Sequence, residues 1–176
     1  MPTSYGANAE ITGSLSVDGD IDLGSGDDDV NIDENTLFID ADQDRVGIGT
    51  TSPTHTLHVD GDVLVDGKFI LAQDRYDGTS SGAMSLDKPL STLSNTNGNI
   101  SLTLANGSHN GQIKRVLVTG YDGGNSISLS IATASWTGGS GTLSFNSIGS
   151  TATLVWAPLG GSTAWWVLSA FNVSYS

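Results

Sequence analysis

The strongest structural signal of the chain is the stretch RVGIGTTSPTHTLHVDGD, which runs from Arg45 to Asp62. It contains two short runs rich in β-branched residues, Val46 to Ile48 and Thr56 to Val59. The Gly/Thr/Ser/Pro segment between them cannot be helical, because glycine and proline at this spacing favour a turn. The stretch therefore predicts two short strands joined by a turn.

The end of this stretch is one copy of a repeat. LHVDGDVLV at 57–65 and LSVDGDIDL at 15–23 share the pattern L-x-V-D-G-D-(I/V)-x-(L/V). Each copy predicts two short alternating strands around a tight Asp-Gly turn. Between the copies lie three more short apolar runs, at 30–32, 37–39 and 46–48.

Strands this short bury little surface in a lone chain, which must offset backbone entropy of about 1 to 2 kcal/mol per residue. Three chains wound together would give one another hydrophobic faces and paired edges. We therefore predict an acidic repetitive β-stalk over residues 11–71, interwoven in a homotrimer, with an N-terminal arm at 1–10. The alternative is a monomer in which these ribbons pack against the second half.

The charge of the chain is divided unevenly. Residues 1 to 88 hold 18 acids and four bases, a net charge of −14, whereas residues 89 to 176 hold one acid and two bases, a net charge of +1. The acidic half would repel nucleic acid and anionic membranes, so neither partner is expected. The absence of cysteine excludes disulfides and zinc-thiolate sites.

Residues 97 to 176 predict an antiparallel β-sandwich or jelly-roll-like head that contains all four tryptophans. Six candidate strands alternate with Gly/Asn/Ser turns, at 100–104, 112–119, 126–131, 141–145, 151–156 and 164–171. Residues 72–96 include the flexible composition TSSGA and predict a connector. The predicted fold class is all-β, with an N-terminal stalk and a C-terminal head.

Two stretches carry a resemblance to known proteins. VGIGTTSP followed by TLHVDGDV resembles a segment of bacteriophage tail fibres and related fibrous virion proteins, where it belongs to an intertwined trimeric β-stalk. GQIKRVLVTGYDGGNSISLS, followed by GTLSFNSIGSTATLVW and WWVLSAFNV, resembles C-terminal β-domains of phage fibres and head-surface proteins.

The resemblance implies a structural protein of the virion. It would be a homotrimeric short fibre, or a head decoration or cement protein, that contacts other capsid or tail proteins on the particle surface. The alternative from the same resemblance is a receptor-binding knob that recognises a host surface glycan. The sequence does not separate tail from capsid attachment.

A calcium site is the one metal centre that the acidic half could hold. Asp18, Asp20, Asp22 and Asp29 have the spacing of positions 1, 3, 5 and 12 of a calcium loop, but Leu23 occupies position 6, where the turn needs glycine. The other interpretation is that alternate carboxylates on a strand face solvent together and discourage edge-to-edge association. No other cofactor is expected.

Four aromatic residues of the head are candidates for stacking on a sugar: Tyr121, Trp136, Trp166 and Tyr175. The alternative for most of them is a place in the core or at a subunit interface. Trp165 and Trp166 are neighbours, so on a strand they face opposite ways and only one of the two can lie in the core.

No catalytic site is predicted. His55, His58 and His109 have no nucleophile or acid in a motif around them, and the head contains one acid, Asp122. Because paired carboxylates are absent from the half large enough to form a cleft, we expect a protein that is not an enzyme.

Overall fold

The computed structural model describes residues 30–32, 36–159 and 161–176. Within these ranges the chain forms fourteen strands and no helix, which confirms the predicted all-β class. The strands belong to two compact units, Met1–Gly67 and Lys68–Ser176.

The described residues of the first unit form one small sheet. Its strands are β1 (Val30–Ile32), β2 (Leu37–Asp40), β3 (Arg45–Ile48) and β4 (Leu57–Val59), and they neighbour one another in that order. The pairs β1–β2 and β2–β3 are antiparallel, whereas β3 and β4 are parallel. The three apolar runs predicted between the repeats therefore form β1, β2 and β3.

The second unit holds a ten-stranded mixed sheet. Its strands are β5 (Gln73–Asp77), β6 (Ser81–Ala83), β7 (Leu90–Ser94), β8 (Ile100–Leu104), β9 (Gln112–Gly120), β10 (Ile127–Ala134), β11 (Gly139–Phe145), β12 (Thr151–Leu159), β13 (Ser162–Phe171) and β14 (Val173–Tyr175). All six predicted head strands are present. The predicted connector at 72–96 instead contains β5, β6 and β7, so this expectation was wrong.

The first six of these strands alternate between two halves of the sheet. β5, β7 and β9 pair with one another in parallel, and β6, β8 and β10 do the same. The two halves are joined through a single pair, Ala134 and Trp165. The chain therefore coils from one half to the other, and the later strands β11 to β14 add antiparallel pairs.

The predicted purely antiparallel pairing is corrected by this arrangement. The prediction was wrong because the Asn/Gly-rich connections at 95–99 and 121–126 have the composition of hairpin turns, yet each joins two strands that lie in different halves of the sheet. Inward-facing side chains from both halves form one hydrophobic core, which includes Leu93, Val116, Leu154 and Trp165 from one half and Ile100, Leu129 and Phe145 from the other.

A buried asparagine joins the connections at 95–99 and 121–126 through hydrogen bonds. Asn95 is fully buried; its Nδ2 donates to the Asn125 carbonyl oxygen at 2.8 Å, and its Oδ1 accepts from the Asp122 backbone N–H at 3.0 Å. Asn125 Nδ2 in turn donates to Asp122 Oδ2 at 2.7 Å. The side-chain amide thus replaces the backbone pairing that the two bends cannot make.

Replacing Asn95 with alanine should lower the free energy of unfolding by about 1 to 3 kcal/mol, because the backbone N–H of Asp122 and the carbonyl oxygen of Asn125, both half-buried residues, lose their partner. Asn97→Ala is the matched control, since Asn97 is exposed in the same bend. Urea unfolding followed by tryptophan fluorescence measures both. Equal unfolding midpoints for the two variants would contradict the assigned role of Asn95.

Candidate functional site

The connection between β3 and β4 explains the glycines and proline of the opening stretch. Gly47 is buried, and a Cβ atom at this position would collide with the Thr50 carbonyl oxygen. Gly49 has a φ of +74°, which favours glycine. Arg45 Nη1 donates to the carbonyl oxygen of the buried Pro53 at 2.8 Å. The loop thus folds back over Gly47 and holds β4 parallel to β3.

Gly47→Ala should therefore loosen the β3–β4 connection. Because the neighbour of the added methyl group is backbone, the loop must move, and we expect trypsin to cleave after Arg45 at least tenfold faster. Gly67→Ala is the control, since a Cβ there has nothing within 4 Å. Cleavage after Arg45 at the wild-type rate would contradict the close packing over Gly47.

One face of the first unit's sheet is entirely apolar. The register aligns Ile32, Leu37, Ile48 and Val59 in one row, and Ile39, Val46 and Leu57 in the next. Period-2 alternation places these side chains on the same face.

This apolar face is uncovered in the single chain. Leu57 is 59% exposed, Ile32 49% and Ile48 42%. Among the described residues of this unit with an assigned burial, only Gly47 and Pro53 are buried. Contiguous exposed apolar surface of this kind is typical of a site that contacts other molecules.

The four predicted sugar-stacking residues lie in three places. Trp136 and Tyr175 form an edge-to-face pair with ring centroids 5.4 Å apart. Tyr121 lines an open polar groove of about 400 Å³ with Asn99, Asn125 and Ser126. The structure therefore unites Trp136 with Tyr175 and leaves Tyr121 elsewhere.

Trp166 lies on β13 and lines a cleft of about 220 Å³ together with Thr133, Ser135 and Ser162. Its Nε1 donates to the Ala157 carbonyl oxygen at 2.9 Å, which holds the indole ring in place. Trp165, its neighbour, is fully buried and donates to the Ala105 carbonyl oxygen at 2.8 Å. The prediction that only one of these two tryptophans lies in the core is confirmed.

The predicted calcium ligands Asp18, Asp20, Asp22 and Asp29 lie outside the described residues. Asp40, in the described part of the acidic half, accepts a hydrogen bond from the Gln43 N–H through Oδ1 at 2.9 Å and so closes a turn. In the ranges that the structure describes, no group of three or more His, Asp or Glu side chains is arranged to hold a metal ion.

The described histidines contact their own neighbours in the chain. His55 Nδ1 is 2.9 Å from Thr54 Oγ1, and His109 Nδ1 is 2.9 Å from Ser108 Oγ. His58 Nδ1 accepts from the Thr54 backbone N–H at 3.4 Å. Each of these contacts joins residues no more than four positions apart in the chain.

A buried lysine, Lys114, lies at a position for which the sequence predicted no functional residue. Lys114 on β9 is 1% exposed, and its Nζ donates to the Ser85 and Lys88 carbonyl oxygens at 2.8 and 2.6 Å. Asp74 Oδ1 is 3.9 Å from the same nitrogen. Burial lowers the pKa of Lys114, and the charge of Asp74 opposes that shift.

Asp74 connects this lysine to the first strand of the second unit. The carboxylate accepts one hydrogen bond from Ser91 Oγ and another from the Tyr76 hydroxyl at 2.9 Å. The Tyr76 oxygen accepts from the Ser85 N–H at 2.9 Å, and burial raises the pKa of Tyr76. The signal in the sequence was the alternation of QIKRVLV, which puts Lys114 in phase with Val116 and Val118.

The described residues contain no helix long and apolar enough to cross a bilayer. Comparison with protein-family models and with curated protein sequences finds no match to this chain.

Proposed function

We propose that the protein is a structural component of a bacteriophage particle, a homotrimeric short fibre or head decoration protein on the virion surface. The observation that carries this proposal is the uncovered apolar face of the first unit, where Ile39, Ile48 and Leu57 face solvent in the single chain. The resemblance of VGIGTTSP and TLHVDGDV to the trimeric stalks of phage fibres supplies the setting.

Association with further copies of the chain would bury the apolar side chains of this unit and leave its acidic side chains in solvent. The apolar side chains would leave water, whereas Asp40 and Arg45 alternate with them and occupy the other face of the sheet. Carboxylates that stay in solvent carry no desolvation cost and keep the particles soluble. Surfaces outside this apolar face would then contact other capsid or tail proteins.

A receptor-binding knob is the second candidate, and the Tyr121 groove is what favours it. Asn99, Asn125, Ser126 and Ser128 offer amide and hydroxyl groups around this ring, which is the chemistry that a neutral sugar requires. Glycan-array binding that Tyr121→Ala abolishes would support this candidate. No array signal, together with failure of the protein to block adsorption to host cells, would remove it.

Sedimentation equilibrium of the full chain tests the proposed assembly. A particle of three times the 18.1 kDa chain mass is expected. Antibody labelling of virus particles in the electron microscope then tests the location. A monomer across the micromolar range, or the absence of label on particles, would overturn the proposal.

A further inference from the structure

Residues 60 to 70 form a second uncovered stretch. All eleven are exposed, and Leu64 and Val63 retain 86% and 68% of their surface. No backbone hydrogen bond joins residues 61–70 to any other part of the chain that the structure describes. Apolar side chains and unpaired peptide groups thus occur together in one segment.

The alternation within this segment separates an apolar side from an acidic one. In an extended chain Val63 and Val65 point one way, between Gly61 and Gly67, and the intervening Leu64 shares the other side with Asp62 and Asp66. One side therefore has no charge and has small residues at both ends.

The other copy of the repeat supports the same division. Ile21 and Leu23 correspond to Val63 and Val65, whereas Asp22 corresponds to Leu64. Both copies keep an aliphatic residue at the first and third positions, and only the middle position tolerates a charge. The side that bears Val63 and Val65 is therefore the one suited to burial.

We propose that residues 62–66 are an inter-chain strand that packs against the same residues of two further copies, with Val63 and Val65 facing a threefold axis. The inference rests on the proposed homotrimer. Rotation about an axis parallel to the strands preserves their direction and height, so identical residues meet in parallel and in register. Asp62 and Asp66 then face outward, which keeps like charges away from the axis.

The uncovered area fits another copy of the chain as the occupant. The exposed fractions of Ile32, Ile39, Ile48, Leu57, Val63 and Val65 leave on the order of 600 Å² bare in this unit, approaching the roughly 800 Å² that each partner of a stable complex buries. A basic partner would instead bind the acidic side. The charge-free side matches only an equally apolar surface, which every further copy provides.

Cysteine cross-linking tests this placement cleanly, because the chain contains no cysteine. Val65→Cys should form interchain disulfides under mild oxidation, seen as covalent dimers on a non-reducing gel. At most two of the three chains in a trimer can be joined. Leu64→Cys is the matched control; it lies on the outward side, where the cysteines of neighbouring chains point away from one another and cannot be bridged.

A charge at the same positions gives a second measurement. Val65→Asp should raise the concentration at which the trimer dissociates at least a hundredfold, whereas Leu64→Asp should leave it within threefold of wild type. Tryptophan fluorescence checks that the second unit is folded in both variants.

The outcomes separate this inference from the proposed function. A wild-type trimer in which Leu64→Cys cross-links as well as Val65→Cys, or in which Val65→Asp assembles normally, would overturn the inference alone. A monomeric wild-type chain would overturn the proposed function and the inference with it.

Discussion

Replacing Lys114 with methionine should lower the free energy of unfolding of the second unit by about 3 to 5 kcal/mol, the usual consequence of removing one partner of a buried ion pair. Methionine nearly matches the length of the lysine side chain, so little volume is lost. Without Nζ, the Ser85 and Lys88 carbonyl oxygens lose their donor and Asp74 loses its counter-charge. Urea unfolding followed by the fluorescence of the four tryptophans reports on this unit.

Lys88→Met is the matched control for this change. Lys88 is exposed and contributes its backbone carbonyl to the cluster, so removal of its amine should change the unfolding free energy by no more than about 0.5 kcal/mol. Equal unfolding free energies for Lys114→Met and Lys88→Met would contradict this expectation. They would mean that the free-energy cost of desolvating the buried ammonium equals the stabilisation that its contacts provide.

The pH dependence of unfolding supplies an independent readout of the same lysine. The pKa of Lys114 is lowered from 10.5 in the folded chain, so the unfolded chain holds more protons between that lowered value and 10.5. Wild-type stability relative to Lys114→Met should therefore rise with pH across this window. Tyr76 acts in both proteins alike: its pKa is raised from 10.0, so its contribution falls as pH rises above 10.0.

The sequence predicted the head strands well where polar and apolar residues alternate. In β8, residues 100, 102 and 104 are buried and 101 and 103 exposed, as the pattern ISLTL requires. β5 reads QDRYD and β6 reads SGA. These strands lack an apolar run because they lie at the ends of the two halves of the sheet, where a neighbouring strand covers only one edge.

These patterns did not predict which strands pair with one another. A bend such as Asn95 to Asn99 has the composition of a hairpin turn, and its amide network with Asp122 and Asn125 forms only after two bends come together. Lys114 was missed for a similar reason. Its partners Asp74, Ser85 and Lys88 all precede β7 in the chain, so the sequence marks an unusual position but not the groups that satisfy it.

In the candidate site, too, features encoded locally were predicted and contacts that depend on strand pairing were not. Strands β1 to β4 followed from local apolar runs and from the VGIGTTSP turn, both of which are encoded within a few residues. The second strand predicted within LHVDGDVLV was wrong, because residues 60–65 contain no strand. The aromatic candidates did not converge, because Trp136 and Tyr175 meet through the pairing of β11 with β14, whereas Tyr121 and Trp166 line different cavities. Contacts of this kind depend on which strands become neighbours.

Leu57→Asp should convert the proposed trimer into monomers. Leu57 belongs to the apolar face of the first unit and is paired with Val46. If that face is buried between copies, each chain would place an unpaired carboxylate in an apolar interface, at a cost of several kcal/mol. The cost is incurred three times per trimer, and a change of about 1.4 kcal/mol already alters an equilibrium constant tenfold.

Thr56→Asp is the control for this substitution, because it introduces the same charge one residue earlier. Thr56 is exposed, and alternation directs its side chain away from the face that carries Leu57. Sedimentation equilibrium at micromolar concentration should therefore give a monomer for Leu57→Asp and a trimer for Thr56→Asp. If both variants remained trimeric, the apolar face would not be the surface through which the chains associate.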